Sequence, residues 1–167
     1  MKKVFFLILL FSLNQLSFSQ KIVPYISPGI SIGYNFNNGV IYGFKISLGI
    51  LNTEQDYFYN ITLGNRTDFR NKNDTFLEYK YVDFQVGAIT EPIGEHKIQL
   101  LNGGGVGLLF YKENNKFQYS PRISAFSGYL LFSSIELNLL KFKKLEPDYN
   151  IRAVFPIPLR KMDEYTL

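Results

Sequence analysis

Cysteine and tryptophan are absent from the 167 residues, and histidine occurs once. Without cysteine there is no disulfide framework, no thiolate metal site and no thiol nucleophile. An exported domain of this size then has only burial and backbone pairing to hold it. The single histidine, His96, lies beside Glu95 in a short turn sequence. Triads and imidazole metal sites need His among other convergent groups, so His96 reads as a solvated turn residue.

Long apolar runs are scarce as well. The main one, Val4 to Leu13 (VFFLILLFSL), follows Lys2 and Lys3. It is about ten residues, against the roughly 20 that a membrane-spanning helix requires. With small residues at Ser17 and Ser19, residues 1–19 read as a secretory signal peptide cleaved before Gln20. No cysteine follows to carry a lipid. Residues 20–167 are expected to form one exported domain.

Excess charge of one sign is missing too. The formal net charge is +4, and Lys2 and Lys3 account for half of it. No basic stripe exists, which sets nucleic acid aside as a partner. Gly103-Gly104-Gly105-Val106-Gly107 has no Lys-Ser/Thr after it and opens no helix, so it is no phosphate loop. Asp68, Asp74 and Glu78 surround one loop without a recognised calcium-ligand spacing. No catalytic, cofactor-binding or metal-binding set emerges, and the chain does not read as an enzyme.

What the chain does have is aromatic and glycine content, with 12 Tyr, 16 Phe and 13 Gly, and alternation. Ile26, Pro28, Ile30, Ile32, Tyr34 and Phe36 share one parity; Ser27, Gly29, Ser31 and Gly33 share the other. Period two over a dozen residues marks a strand with unlike faces. Asn37-Asn38-Gly39 then gives a hairpin signal. The same reading along the chain predicts strands at about 24–36, 40–51, 57–66, 76–89, 97–111, 117–132, 135–142 and 149–159. Ser133-Ser134 is read as a turn, and 143–148 (KKLEPD) as another. In the fourth strand the alternation slips at Tyr81-Val82, which predicts a bulge or passage out of the apolar zone. No helical periodicity, linker or second domain is visible.

Eight such strands predict an all-β fold: a closed antiparallel up-and-down β-barrel. Alternation fits two opposite solutions, a membrane barrel or a soluble lipocalin-like barrel with an apolar small-molecule cavity. The composition of the polar set favours the membrane. It holds Ser and Gly, including Gly103, Gly105 and Gly107, rather than Lys, Glu, Thr and Gln. Small residues suit the crowded lumen of a small barrel. Isolated charges at Lys45, Arg66, Asp83, Arg122, Glu136 and Arg152 are expected to form a polar network inside it. Tyr34, Phe36, Tyr42, Phe44, Tyr57, Tyr59, Tyr111 and Tyr149 are expected to form interfacial girdles. Pro24 and Pro28 in the first strand, and Pro156 and Pro158 in the last, are expected to delete hydrogen-bond donors at the seam where the barrel closes.

Tyr79 to Gly87 (YKYVDFQVG) followed by Lys97 to Leu109 (KIQLLNGGGVGLL) resembles a hairpin of the PorT-type outer-membrane β-barrels, relatives in shape of OmpA-like small barrels. Asp83-Phe84-Gln85 stands where that family usually has a proline. The resemblance implies a fold and an outer-membrane location, not an activity. The expected role is structural or accessory in the cell envelope, as a monomer. Its expected partners are outer-membrane lipid and envelope or secretion-machinery proteins, and no cofactor is expected.

Overall fold

The computed structural model describes residues 22–69, 76–90, 99–113, 116–140 and 144–159. Residues 1–19, read above as a signal peptide, and His96 and Asp74 lie outside the described residues. Eight long strands run β1 (Ile22–Asn35), β2 (Gly39–Asn52), β3 (Tyr57–Phe69), β4 (Phe76–Ile89), β5 (Leu101–Glu113), β6 (Lys116–Gly128), β7 (Leu131–Leu140) and β8 (Lys144–Val154). A two-residue β9 (Ile157–Pro158) follows. Each long strand pairs antiparallel with the next, and β1 pairs with both β2 and β8. The sheet therefore closes on itself, which leaves no continuous open edge.

Closure requires the strands to stagger. Following paired residues from Ile26 leads through Leu48, Ile61, Phe84, Val106, Ile123, Leu137 and Pro147. The path returns to β1 at Phe36, whose amide donates to the Pro147 carbonyl. That is ten residues beyond its start on the same strand. Eight strands with such a stagger make a tube narrow enough for side chains to fill.

Parity decides what fills it. The residues on the path just traced point outward, and Phe84 and Val106 are 53% and 60% exposed. Their neighbours of opposite parity point inward. Ser27, Thr62, Asp83, Gln85, Arg122, Glu136, Asp148 and Arg152 are all buried. The large apolar side chains coat the outside and the polar ones fill the inside, the inverse of a soluble domain. The fold is thus a closed antiparallel barrel of the membrane type. The lipocalin-like alternative, which needs the apolar face inside, is excluded by this polarity. Tyr34, Phe36, Tyr42, Phe117, Tyr119 and Tyr149 stand outward near one end, and Tyr57, Tyr59 and Tyr129 near the other. Tyr111 corrects the girdle expectation: it points inward and packs on Tyr79, with ring centroids 5.6 Å apart.

Several boundaries move. The turn between β6 and β7 is at Tyr129-Leu130, where the Tyr129 amide donates to the Leu131 carbonyl. Ser133 and Ser134 are strand residues, so the sixth strand ends at Gly128 rather than 132, and the seventh begins at Leu131 rather than 135. β8 begins at Lys144, and the 143–148 turn is largely strand, because Glu146 and Asp148 are held inside the barrel. β4 has no bulge, for its registers with β3 and β5 run unbroken through Tyr81-Val82. The slip arises because Tyr79 and Tyr81 point inward, while Glu78 and Lys80 are exposed outside. It is the passage out of the apolar zone. The first hairpin closes as expected: Asn35 Oδ1 accepts from the amides of Asn37 and Asn38, and Gly39 takes φ 90°. Only glycine adopts that conformation readily.

The seam is partly as expected. β1 and β8 pair from Gly29↔Val154 to Asn35↔Asp148, and β9 resumes the same register at Tyr25↔Pro158. The Phe155 and Leu159 amides donate to the Pro28 and Pro24 carbonyls, and those two prolines have no N–H to return. Pro147, on β8, likewise only accepts, from Phe36. Pro156 and Pro158 have the other parity and face away from the seam. They lie past the start of β7, on a short unpaired edge that they leave without donors.

Candidate functional site

All six residues expected in the lumen point into it, and they divide into two layers. Nearer the end that holds the β1–β2 turn, Arg66 is gripped by two carboxylates. Its Nε lies 2.7 Å from Asp68 Oδ1 and its NH2 3.0 Å from Asp68 Oδ2, while NH1 donates to Asp148. Asp148 also accepts from Asn35 and, at 2.7 Å, from Asn138 Nδ2. The guanidinium lies over the Tyr79 ring, 5.1 Å from its centroid. Asn38 bridges Asp68 and Glu146 at 3.0 and 3.3 Å, and Lys144 Nζ sits 2.9 Å from Glu146. Asp68, Asp148, Glu146, Asn35 and Asn138 are essentially solvent-free. Charges this deep persist only when paired and hydrogen-bonded.

The second layer lies midway down the tube. Glu136 on β7 bridges Arg122 on β6, at 2.5 Å, and Arg152 on β8. Arg122 Nε is 3.4 Å from Asp83 on β4 and stacks over Tyr81, 4.0 Å from the ring centroid. Tyr81 fits there because position 64 has no side chain: a Cβ on Gly64 would fall 2.3 Å from the Tyr81 ring. Gly107 makes the same allowance for Asp83, at 2.1 Å. Lys45, the sixth expected member, has no carboxylate within ion-pair distance among the described residues. It borders this layer and lines the inner end of a cavity that opens at the far end of the lumen.

Asp68, Glu146 and Asp148 escaped the sequence reading because each sat in a stretch taken for loop or turn. Inward parity was the available signal, since Asp68 is two residues from Arg66 and Asp148 four from Arg152. The calcium candidate dissolves. Asp68 is spent on Arg66, Glu78 is exposed outside, and no three-residue metal-ligand group occurs among the described residues. What the interior does chemically is pair all of these charges but Lys45 across the lumen.

The chain is therefore a small membrane-type barrel with a charged, plugged interior. No family model matches the sequence, and no curated protein matches it; the PorT-type resemblance thus rests on the hairpin residues alone. Among solved structures it is similar to a chain from "De novo design of transmembrane beta-barrels", with TM-score 0.45 and 13% identity over 80% of this chain and 95% of that one. It is also similar to Neisserial surface protein A, with TM-score 0.42 and 11% identity over 82% of this chain and 98% of that one. These likenesses concern shape alone.

Proposed function

We propose that the protein is a monomeric barrel of the bacterial outer membrane with a structural or accessory role in the envelope, without catalysis or transport. The observation that carries this reading is the polarity of the wall. Outward apolar residues such as Ile30, Leu48, Ile61, Phe84 and Val106 run around the tube, while the interior charges other than Lys45 pair among themselves across five strands. A surface of that kind is stable only against lipid. Partners within a secretion or assembly machine, of the kind the PorT-type hairpin resemblance suggests, belong to the same reading.

Two measurements test it. The mature protein should require detergent or lipid, and should migrate differently on a denaturing gel when unheated and when boiled. Recovery of folded protein from buffer alone would refute membrane residence. In planar bilayers no large stable conductance is expected, because the mid-lumen layer crosses the tube. Long-lived open events would refute a plugged lumen.

A further inference from the structure

The lumen is not filled along its whole length. At the end where β1 begins and β9 ends, a cavity of about 250 Å³ opens inside the wall. Its collar is apolar, made by Val23, Leu51, Phe58, Phe126, Phe132 and Val154. Its inner end is different: Ser27, Ser47, Gln85, Lys45 and Arg152 project there. An apolar sleeve over a polar floor matches a molecule that has both characters.

The floor holds orphaned polar atoms of both kinds. Ser27 Oγ and Gln85 Nε2, both on residues 2% exposed, have no hydrogen-bond partner within the protein. The two Asp83 oxygens, two residues from Gln85 on the same face, also lack a hydrogen bond. Gln85 Oε1 is already used by Thr62, at 3.2 Å, and Thr62 also meets Ser47 at 2.7 Å. The acceptor on Asn60 is taken by Tyr25. The charge tally decides which character a ligand's head must have. Lys45, Arg122 and Arg152 face only Asp83 and Glu136 in this layer. Arg122 and Arg152 hold those carboxylates at ion-pair distance, which leaves the Lys45 ammonium over. A surplus cation beside buried polar atoms at the bottom of a hole specifies an anionic head.

We infer that this cavity binds a single-chain fatty carboxylate, its head on Lys45, Ser27 and Gln85 and its chain in the apolar collar. Size selects one chain. The volume equals that of about eight water molecules, each similar to a methylene group: room for the head and inner methylenes of one chain, whose outer end passes the open rim, and too little for a two-tailed lipid. Depth agrees: Leu51 at the rim and Lys45 on the floor are six residues apart on β2, roughly 20 Å along the strand, which for a strand tilted by about 40° is roughly 15 Å along the tube. A planar carboxylate with two acceptor oxygens matches donors arriving from β1, β2 and β4. The ligand would supply the missing negative charge of the mid-lumen layer.

The test uses the mature protein in zwitterionic nanodiscs with carboxyl-labelled laurate, read by ¹³C NMR, and with dodecanol and dodecyl phosphate as competitors. One laurate should bind per protein with a shifted carboxyl resonance, and dodecanol should compete at least about tenfold more weakly. Lys45→Met should weaken laurate by about tenfold or more and leave dodecanol unchanged, while Lys45→Arg should restore most of the loss. Equal displacement by dodecanol would overturn the inference, as would a Lys45→Met protein that holds laurate normally. Tighter binding of dodecyl phosphate would overturn it in favour of a phosphate head. Should Lys45→Met fail to fold, judged by gel mobility, the acid–alcohol contrast on the unsubstituted protein decides. Because gel mobility and detergent dependence are read separately, loss of laurate binding leaves the membrane assignment standing.

Discussion

Replacing Glu136 by glutamine would remove one charge and almost no volume. Glu136 joins Arg122 and Arg152, and all three are at most 5% exposed. With glutamine there, two guanidiniums and Lys45 would share Asp83 alone. Stranding a buried charge by removing one partner costs about 3–5 kcal/mol, which is roughly two to four orders of magnitude in the folded-to-unfolded ratio. Reversible urea unfolding in micelles, followed by gel mobility and circular dichroism, would report the loss as a shifted midpoint at constant slope. The double variant Glu136→Gln/Arg152→Met removes the stranded cation as well. It should recover a good part of the loss, a coupling of about 1–3 kcal/mol. A single variant within about 0.5 kcal/mol of the parent would refute the reasoning. So would a double variant that merely adds two independent losses.

Other outcomes follow from the same geometry. Val106→Arg, outward at the middle of β5, should cost about 2–4 kcal/mol of folding into lipid vesicles, and Leu145→Arg, at the start of β8, only about 0–1; equal costs would contradict the placement of the apolar band. Gly64→Ala should cost about 1–3 kcal/mol by driving a methyl into the Tyr81 ring, and Tyr81→Ala in the same chain should relieve part of it in the urea assay. Pro28→Ala gives β1 an N–H directed at Phe155 across the seam. That new amide should be protected in hydrogen exchange, and rapid exchange would show that the seam is open there.

Much of the architecture was legible because a barrel wall imposes one rule on every strand. Ile30, Ile32 and Tyr34 against Gly29, Ser31 and Gly33 state that rule locally, and no tertiary knowledge is needed to read it. The interior charges were legible where they stood alone among small residues, as Lys45 and Arg122 do. Asp68, Glu146 and Asp148 were hidden because clustered polar residues look like solvent-facing loop when the strand continues beyond the membrane. Their inward direction follows from register. The β6–β7 turn was hidden for a related reason. Ser133-Ser134 resembles a turn by composition, but Ser134 fills the lumen and Ser133 lies on the outer face of a continuing strand, and the chain reverses at Tyr129-Leu130. Pro156 and Pro158 needed the register too, since sequence parity does not say which neighbour an amide faces.

The mid-lumen ion layer also constrains how the barrel is made. Its members come from separate strands: Lys45 from β2, Asp83 from β4, Arg122 from β6, Glu136 from β7 and Arg152 from β8. A lone β1–β2 hairpin entering hydrocarbon would carry the bare Lys45 ammonium, and a lone β4–β5 hairpin the bare Asp83 carboxylate. Asp83 finds its guanidinium, Arg122, only when β6 arrives, and Lys45 meets no carboxylate at ion-pair distance among the described residues at any stage. Each bare ion in hydrocarbon opposes entry strongly, so piecemeal insertion is uphill at every stage. The strands must come together while their inward faces are still wet, and the wall must meet lipid as a nearly complete ring. The residues that close the lumen thereby make its assembly a single cooperative event.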